Sequence, residues 1–555
     1  MKLTVTFFTL FLILFNQLPA QTVYQNWSNC YNDNSIGQPI PNDMVTDNDG
    51  NTYITGYFEE AYPNFYNKHF FLLKLNASGV QQWVNYYPVV NDIKDSTKYD
   101  IGKSLALDKQ GNIYVAGLRY DTVCNICTIQ TKHKDQFIIK YGTAGNMIWL
   151  NRYNGPVNTY QEPEEIAIDV NGQLIVVGNE SVYSSKTFDY KTKMIVQKIR
   201  KNGKLEWTKK IKNAIGHGIS SDATGNVLVA GSLNNYNIYS LQKPLISKYS
   251  PAGDSLWSRV FDEYNKNGHA YFIGADAQGN VYVNGQTDTT TFYNNPRVVT
   301  LKYSNTGNLI WSRKEIGHTN TLAHIYGSFA VDAQGRSYVA ASLAPYQQRD
   351  NWITSVYESD GSLAWTNQYA DAFGGNDKPA DLITDLGGNV YITGYGSNAQ
   401  HAYIYTTIKY NANGVQQWLK TYRFPEPNSN NFPNSISLDL SGNVYVTGGA
   451  GGGVCTVKYG SNKTSLQKEE TAEYRLTVYP NPVQNMLHIK LDKQVTGNLV
   501  YKIYNLDASL NREGILNANF PNDAFKINVQ NLEKGIHLCT IKIGDKLYKV
   551  SFIKE

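Results

Sequence analysis

Three histidines occupy related places in consecutive stretches of the chain and could perform acid–base or metal chemistry. His217, His269 and His324 stand five, seven and eight residues before an aspartate that recurs along the sequence. Imidazole titrates near neutral pH and is a common zinc ligand. The unequal offsets make the three positions non-equivalent, whereas zinc requires near-tetrahedral ligands at about 2.1 Å. We therefore expect no metal and no cofactor, and we keep the three histidines as candidate ligand-binding residues.

A second set of candidate ligand-binding residues is aromatic. Tyrosine accounts for 42 of the 555 residues, and the stretch GYFEEAYPNFYNKHF contains Tyr62, Phe65 and Tyr66. Further aromatic residues occur in other connections of variable length, at Tyr57, Tyr183, Tyr190, Tyr236 and Tyr239. Aromatic side chains that cannot all enter a core indicate a recognition surface. We expect this surface to bind a glycan or a protein.

The acidic and cysteine residues are better explained without a metal. Asp47 and Asp49 in DNDGN resemble the start of a calcium loop, but Phe58 stands where such a loop needs its twelfth-position Glu. We therefore predict that the recurring aspartates cap turns. Cys124 and Cys127 lie in a long connection without four zinc ligands, so we expect a short-range disulfide or two free thiols.

An internal repeat positions these residues. The pattern Asp-x-x-Gly-Asn-x-Tyr-x-x-Gly recurs, with small variations and a period of 53 to 61 residues, at Asp47, Asp108, Asp169, Asp222, Asp276, Asp332, Asp385 and Asp439. Each copy predicts four short strands joined by two tight hairpins and by longer, variable connections that share the opposite face. Such units are typical of propeller blades, and a stacked solenoid is the structural alternative. The predicted fold is an all-β, eight-bladed β-propeller.

The two ends of the repeat predict closure of the propeller. The last copy lacks the Trp-bearing strand of the others, whereas Trp27 and Tyr31 near the N-terminus have the spacing of Trp418 and Tyr422. An N-terminal strand that completes the eighth blade would remove the open edge, which a solenoid does not require. Two further cysteines, 30 and 455, would then lie on neighbouring strands, diagonally offset by about 7 to 8 Å, so that a disulfide requires a slipped register.

Residues 22 to about 460 resemble the bacterial SBBP β-propeller repeat family, whose blades carry this Asp-x-x-Gly-Asn-x-Tyr-Val-x-Gly core. The family name implies seven blades, whereas this sequence contains eight copies. The resemblance implies a fold and no particular function, since propellers host lectins, lyases, hydrolases and protein scaffolds.

The N-terminus has the features of a secretory signal peptide, predicted at residues 1–20. Lys2 precedes the apolar run LTVTFFTLFLILF, which is too short to span a bilayer, and Ala20 ends the segment. We expect no transmembrane segment in the mature chain. With 50 basic and 46 acidic residues, no charge excess indicates a nucleic-acid partner. The predicted domains are the propeller at 21–460, a polar linker at 461–473 and a second β domain at 474–555.

The second domain contains alternating strands that predict a small Ig-like β-sandwich. Its motifs, VYPNP, the glycine of LEKGIHLCTI and the terminal KVSFIKE, closely resemble the type A C-terminal sorting domain of the type IX secretion system. Ala508 and His537 depart from the Gly and Tyr usual there. The resemblance assigns the sorting motif to Tyr479, Pro480, Asn481, Pro482, Gly535, Lys549, Phe552 and Lys554. It implies a translocon and a sortase-like protease as partners, and a secreted or outer-membrane surface-attached protein.

The sequence favours a secreted or cell-surface binding protein without catalytic residues. No Gly-x-Ser-x-Gly elbow, paired-His metal motif or phosphate loop is present. The alternative is a carbohydrate-active enzyme, a lyase or glycoside hydrolase with its active site at the mouth of the channel. In that case one of the three histidines would act as base or acid together with Glu164 or Glu165.

Overall fold

The computed structural model describes residues 23–32, 37–62, 65–87, 98–122, 132–153, 159–184, 189–234, 242–262, 267–288, 296–314, 327–343, 350–400, 402–424, 430–461, 476–491, 498–505, 510–517, 525–543 and 546–555. The predicted signal peptide, the Cys124–Cys127 pair, His324, Tyr236 and Tyr239 lie outside these ranges. The chain divides into two compact parts, Met1–Thr464 and Ser465–Glu555.

Every element in the described ranges is a β-strand. Among these residues there is no helix that could cross a membrane. Strand β1 is Tyr24–Tyr31, and the repeats then supply β2 Gln38–Thr46, β3 Thr52–Tyr62, β4 Phe65–Leu75, β5 Gln81–Tyr87 (unit 1); β6 Lys98–Leu107, β7 Ile113–Thr122, β8 Lys132–Tyr141, β9 Met147–Tyr153 (unit 2); β10 Thr159–Ile168, β11 Leu174–Ser184, β12 Asp189–Ile199, β13 Leu205–Lys212 (unit 3); β14 Ala214–Ser221, β15 Val227–Asn234, β16 Gln242–Tyr249, β17 Ser255–Val260 (unit 4).

The remaining repeats have the same order of strands. They supply β18 Gly268–Ala275, β19 Val281–Asp288, β20 Pro296–Tyr303, β21 Leu309–Lys314 (unit 5); β22 Gly327–Val331, β23 Ser337–Leu343, β24 Asn351–Tyr357, β25 Leu363–Tyr369 (unit 6); β26 Lys378–Thr384, β27 Val390–Ser397, β28 Tyr403–Tyr410, β29 Gln416–Tyr422 (unit 7); β30 Asn431–Leu438, β31 Val444–Ala450, β32 Gly453–Gly460 (unit 8). In each unit consecutive strands pair antiparallel, so each unit is a meander.

The recurring aspartate caps the first hairpin of each unit, as predicted. In unit 1, one carboxylate oxygen of Asp47 accepts hydrogen bonds from the backbone N–H groups of Asp49 and Asn51, at 3.0 and 2.8 Å. The other oxygen accepts the Tyr53 hydroxyl at 3.1 Å. Gly50 has a φ of 81°, which an L side chain rarely adopts. The Asp, Gly and Tyr of the pattern therefore each satisfy a local requirement of the turn.

The tryptophan of the fourth strand joins each unit to the next. The indole N–H of Trp207 in unit 3 donates to the carbonyl oxygen of Pro251 in unit 4, at 3.1 Å. Gly253 follows in the same turn with a φ of 91°, and a Cβ there would meet the Trp207 ring at 2.9 Å. The repeated Trp and Gly are thus two halves of one contact between neighbouring units.

Strand β1 completes unit 8, as predicted. It pairs antiparallel with β32, and the indole of Trp27 donates to the carbonyl oxygen of Ala77 in unit 1 at 3.0 Å. Trp149, Trp207, Trp257, Trp311 and Trp365 make the same hydrogen bond with their following units. The first strands of the units also contact one another in succession, from β2 to β30, and β30 contacts β2. Units 8 and 1 are therefore neighbours in the same way as the other pairs.

The register of β1 differs from simple hairpin pairing. A bulge at Asn26, between Gln25 and Trp27, shifts the following residues by one position. As a result, Cys30 lies directly opposite Cys455 with a Cα–Cα distance of 4.0 Å, and the two form a disulfide. The expected diagonal offset is wrong because the sequence pattern does not reveal the extra residue.

Units 1 to 3 differ from separate blades in one respect. Single parallel bridges, Lys68–Tyr99 between β4 and β6 and Lys134–Tyr160 between β8 and β10, link them into one twelve-stranded sheet. The third strands of units 1 and 2 have 11 and 10 residues, whereas those of units 4 to 8 have 7 or 8. Their additional residues bring them beside the next unit's first strand.

The second part of the chain contains two sheets around one core. Its strands are β33 Leu476–Tyr479, β34 Met486–Leu491, β35 Asn498–Tyr504, β36 Leu510–Asn517, β37 Phe525–Asn528, β38 Gly535–Ile543 and β39 Lys546–Lys554. The sheet orders are β33-β34-β37 and β36-β35-β38-β39. Leu487 and Ile489 from the first sheet pack with Ile503, Ile541 and Phe552 from the second.

Candidate functional site

The first strand of most units contains a bulge at one fixed position, five residues before the recurring aspartate. The extra residue is Asn42, Lys103, Glu164, His217, Tyr271, Ala380 and Asn434 in units 1, 2, 3, 4, 5, 7 and 8. Unit 6 has Gly327 there, in a regular register. These residues are partly or fully exposed, and in units 2, 4 and 8 both sequence neighbours are buried. The bulge therefore turns one side chain per strand out of the core.

Two of the predicted histidines meet at these strands. His217 on β14 and His269 on β18 both contact the hydroxyl of Ser232 on β15, with Nε2–Oγ and Nδ1–Oγ distances of 3.1 and 2.8 Å. The rings of His217 and Tyr271 are 5.0 Å apart, and Tyr271 stacks on His269 at 5.6 Å. A hydroxyl, two imidazoles and a phenol ring from two units thus form one cluster.

Burial favours the neutral form of both imidazoles. Burial lowers the pKa of His217 to about 4, with added repulsion from His269. Burial also lowers the pKa of His269. No hydrogen bond or ion pair within the described ranges joins either ring to a carboxylate. The cluster can therefore donate and accept hydrogen bonds, but it holds a proton poorly.

A second polar group extends from this cluster towards unit 2. The backbone N–H of Gly216, next to His217, donates to the side-chain oxygen of Asn179 at 2.8 Å. The Asn179 amide donates to Glu164 at 3.1 Å, and Lys103 donates to both Glu164 and Glu162. The charge of the Lys103 ammonium group is therefore balanced by the carboxylates of Glu162 and Glu164.

Three carboxylates lie one residue beyond bulge positions and connect neighbouring first strands. Asp43, Glu165 and Asp381 accept the backbone N–H groups of Leu105, Ile219 and Ile436, each in the next unit, at 2.8 to 3.0 Å. Burial raises the pKa of Asp43 and of Glu165 to about 7, and repulsion among the three acids adds to the effect. Burial also raises the pKa of Asp381.

Among the described residues, neither His217 nor His269 pairs with Glu164 or Glu165. Glu164 contacts Asn179 and Lys103, and Glu165 accepts the Ile219 N–H, because both acids bridge strands. In the described ranges no group of three or more His, Cys, Asp or Glu residues could hold a metal ion. His324, the third histidine, lies outside those ranges.

The predicted aromatic residues of unit 1 lie at the end of a long hairpin. Tyr62 ends β3 opposite Phe65, the first residue of β4, and Tyr66 is opposite Ala61. The structure describes the backbone at these positions and not the side chains. A different aromatic cluster escaped prediction: Tyr395, Tyr403 and Phe432 have ring centroids 4.9 to 5.4 Å apart, and Phe432 is 40% exposed. Its members come from three strands of two units, so no local motif reveals it.

Of the residues predicted for the sorting motif, Asn481 lies beside the end of the last strand, which holds Phe552 and Lys554. The backbone N–H of Ile553 donates to the Asn481 side chain at 2.8 Å, and Val483 pairs with Lys554. His537, which stands where the resemblance expects Tyr, lies opposite Phe552, and the two rings stack with centroids 5.5 Å apart. The remaining motif positions are Tyr479, Pro480 and Pro482 beside Asn481, and Gly535 and Lys549 on the last two strands.

This segment also matches a family model. Residues 477–555 match the secretion system C-terminal sorting domain. The chain carries an export signal. Proteins with this domain are exported by the type IX system to the cell surface or the extracellular space, and this is the location of the chain.

The comparison with solved structures gives distant likenesses, one of them to a protein described as a propeller. The Dos1 propeller is 10% identical, with 80% of this chain and 96% of that one covered and a TM-score of 0.44. A polysaccharide lyase described as an ulvan lyase is 9% identical, with 63% and 90% covered and a TM-score of 0.41. A protein of unknown function from Bacteroides caccae is 15% identical, with 52% and 90% covered and a TM-score of 0.29. No curated protein matches the sequence.

Proposed function

We propose that this exported chain is a binding protein whose repeats form a closed, eight-bladed propeller of the SBBP type and recognise a glycan without catalysis. The hydrogen-bonded pairing of β1 with β32 and the contact of β30 with β2 support the closed ring. In such a ring the first strands surround a central channel, and the variable connections lie around one mouth of it. The small second part, as an Ig-like sandwich, serves the type IX translocon and a sortase-like protease.

The cluster of His217, Ser232, His269 and Tyr271 carries this proposal. It lies at the ends of strands next to the variable connections, where propellers and other scaffolds bind ligands. The buried Ser232 hydroxyl orients both rings, and the second nitrogen of each neutral imidazole can donate or accept a hydrogen bond, which suits the hydroxyl groups of a sugar. Aromatic faces at 5 to 6 Å spacing provide apolar area beside them.

The same cluster argues against acid–base catalysis. An effective general base has a pKa near the working pH, whereas His217 has a pKa of about 4. A base also benefits from a carboxylate that stabilises its protonated form, and the nearby acids are bound to backbone groups of other strands. These features favour hydrogen bonding over proton transfer at this cluster.

A glycan array with the purified mature chain tests the proposal. We expect saturable binding by the wild type, loss of at least about tenfold in affinity for His217→Ala combined with His269→Ala, and no depolymerisation of any bound glycan. A Tyr62→Ala, Phe65→Ala, Tyr66→Ala variant tests the predicted aromatic hairpin in the same assay. Turnover of a bound polysaccharide that the double histidine variant abolishes would establish the enzyme alternative.

A further inference from the structure

We infer that the ligand enters the mouth of the channel over unit 7, that Ala380 determines what fits there, and that the ligand is an uncharged glycan. The inference rests on the proposed binding function and extends it to a position and a ligand class. Its basis is the set of bulge positions, which differ in side-chain size around the repeats.

On one side, the bulge residues reach from unit to unit. Asn434 of unit 8 donates to the carbonyl oxygen of Pro41 in unit 1, and Asn42 donates to that of Gly102 in unit 2, both at 2.7 Å. Lys103 then donates to Glu164 of unit 3 at 3.4 Å. The Asn179 side chain accepts a hydrogen bond from the Gly216 N–H of unit 4, and the His217 ring contacts the Tyr271 ring of unit 5. From unit 8 through unit 5, polar and aromatic side chains therefore cover the space between neighbouring first strands.

Units 6 and 7 have the two smallest residues at the bulge position, Gly327 and Ala380, and Ser328 and Asp381 bridge their first strands instead. Gly327 is required by the close approach of two strands, because a Cβ there would lie 1.9 Å from the carbonyl oxygen of Ala340. Ala380 occupies a bulge like those that hold Lys, Glu, His, Tyr and Asn in other units. Ala380 has the smallest side chain among the bulge residues of the described first strands, which is why we place the ligand over unit 7.

The charges around this opening favour a neutral ligand. Asp381 follows Ala380, and its carboxylate accepts hydrogen bonds from Ser328, Leu382 and Ile436. Asp43 and Glu165 interact electrostatically with it, and the ionised fraction of these acids repels an anionic sugar. Among the bulge residues the ammonium group belongs to Lys103, which is already paired with Glu162 and Glu164. The uncharged polar groups at these positions are the amides of Asn42 and Asn434, the His217 imidazole and the Tyr271 phenol.

Substitution of Ala380 tests the inference. Ala380→Tyr places at the bulge the residue that unit 5 has there, and Ala380→Asn places the residue of units 1 and 8, so both fit a known bulge. Ala380→Ser is the matched small control. The probes are arrays of neutral glucan, mannan and xylan oligosaccharides beside polyuronate and amino-sugar oligosaccharides, with a thermal melt of every variant.

We expect the wild type and Ala380→Ser to bind the same neutral probe, and Ala380→Tyr to lose at least about tenfold in affinity through exclusion of one sugar unit. Ala380→Asn should bind more weakly than Ala380→Ser. If Ala380→Tyr does not melt cooperatively and is therefore misfolded, the comparison of the Asn and Ser variants tests the inference. Equal binding by wild type and both larger variants would overturn the inference and leave the binding function standing. Binding confined to charged probes would overturn the ligand class, and no binding by the wild type would overturn both.

Discussion

Cys30 on β1 and Cys455 on β32 lie directly opposite each other and form a disulfide between residues 425 positions apart in sequence. The bond joins the strand that begins the repeats to the last strand of unit 8. It depends on the bulge at Asn26, which shifts Cys30 into register with Cys455. The exported protein can hold this bond because disulfides persist outside the cytosol.

Deletion of Asn26 should abolish the cross-link. Removal of the bulged residue moves Cys30 one position along β32, and side chains of strand neighbours then point to opposite faces. Mass spectrometry of the exported variant under non-reducing conditions should find no Cys30–Cys455 peptide. Asn26→Ala keeps the residue count and should retain the peptide. A cross-link in the deletion variant would show that the bulge does not set the register.

Loss of the disulfide should destabilise the repeat domain without unfolding it. Cys30→Ser with Cys455→Ser removes a constraint on a very long loop of the unfolded chain, and such bonds typically contribute about 2 to 4 kcal/mol. The double variant should unfold at a lower temperature than the oxidised wild type, and the decrease should equal the one that reductant causes in the wild type. A reductant effect that persists in the double variant would assign the stabilisation to another cysteine pair.

The sequence predicts those features that each repeat needs for itself. The turn at Asp47 and Gly50 and the contact of Trp207 with Pro251 depend on short patterns, so their repetition is visible. The first-strand bulges recur at one position of the repeat, but the residues there differ from unit to unit, so no residue pattern marks them. For the same reason the predicted register of Cys30 is wrong. The sequence predicts only that His217 and His269 lie near each other, and not that both contact Ser232.

Asp43 should make the stability of the repeat domain fall as pH rises. Its pKa is 3.8 in the unfolded chain and about 7 in the folded one, because burial outweighs the hydrogen bonds from Leu105 and Met44. Between these values the folded state binds more protons, so its stabilisation is complete below pH 3.8 and is lost as pH rises through about 7. Asp43→Asn is neutral throughout and should flatten the curve of unfolding free energy against pH. An unchanged curve would show that Asp43 does not titrate in this range.

The pair Asp222–Lys248 should contribute to stability with the opposite pH dependence. Burial alone would raise the pKa of Asp222, but hydrogen bonds from Lys248, Asn226 and Thr224 lower it to about 2. The two charged groups are 2.9 Å apart and almost fully buried. Lys248→Met leaves the carboxylate unpaired and should cost about 3 to 5 kcal/mol near neutral pH, with a smaller cost as pH falls towards 2.

A matched lysine substitution and a chelator test whether Asp222 and the other recurring aspartates act as partners of lysines and turns or as metal ligands. Lys74→Met removes the equivalent lysine of unit 1, which is partly exposed and donates to the Thr143 carbonyl oxygen at 3.2 Å, so it should cost less. If the recurring aspartates cap turns and bind no calcium, EDTA should leave the melting curve of the wild type unchanged. A chelator-dependent shift would contradict the capping role.

Removal of residues 474–555 should leave the repeat domain folded but retained in the periplasm. The first part of the chain has its own hydrophobic clusters, and the sorting-domain core consists of residues from the second part alone. A secretory signal at the N-terminus would still carry the shortened chain across the inner membrane, whereas the outer-membrane step needs the domain matched at residues 477–555. Cell fractionation with an antibody to the repeats should find the shortened chain in the periplasmic fraction, with the melting behaviour of the wild-type repeats. Appearance of the shortened chain outside the cell at the wild-type level would reject the role of this domain in export.

Phe552→Ala provides a milder variant. The substitution creates a cavity beneath His537 in the small core, so it should reduce export in proportion to the unfolded fraction of that domain.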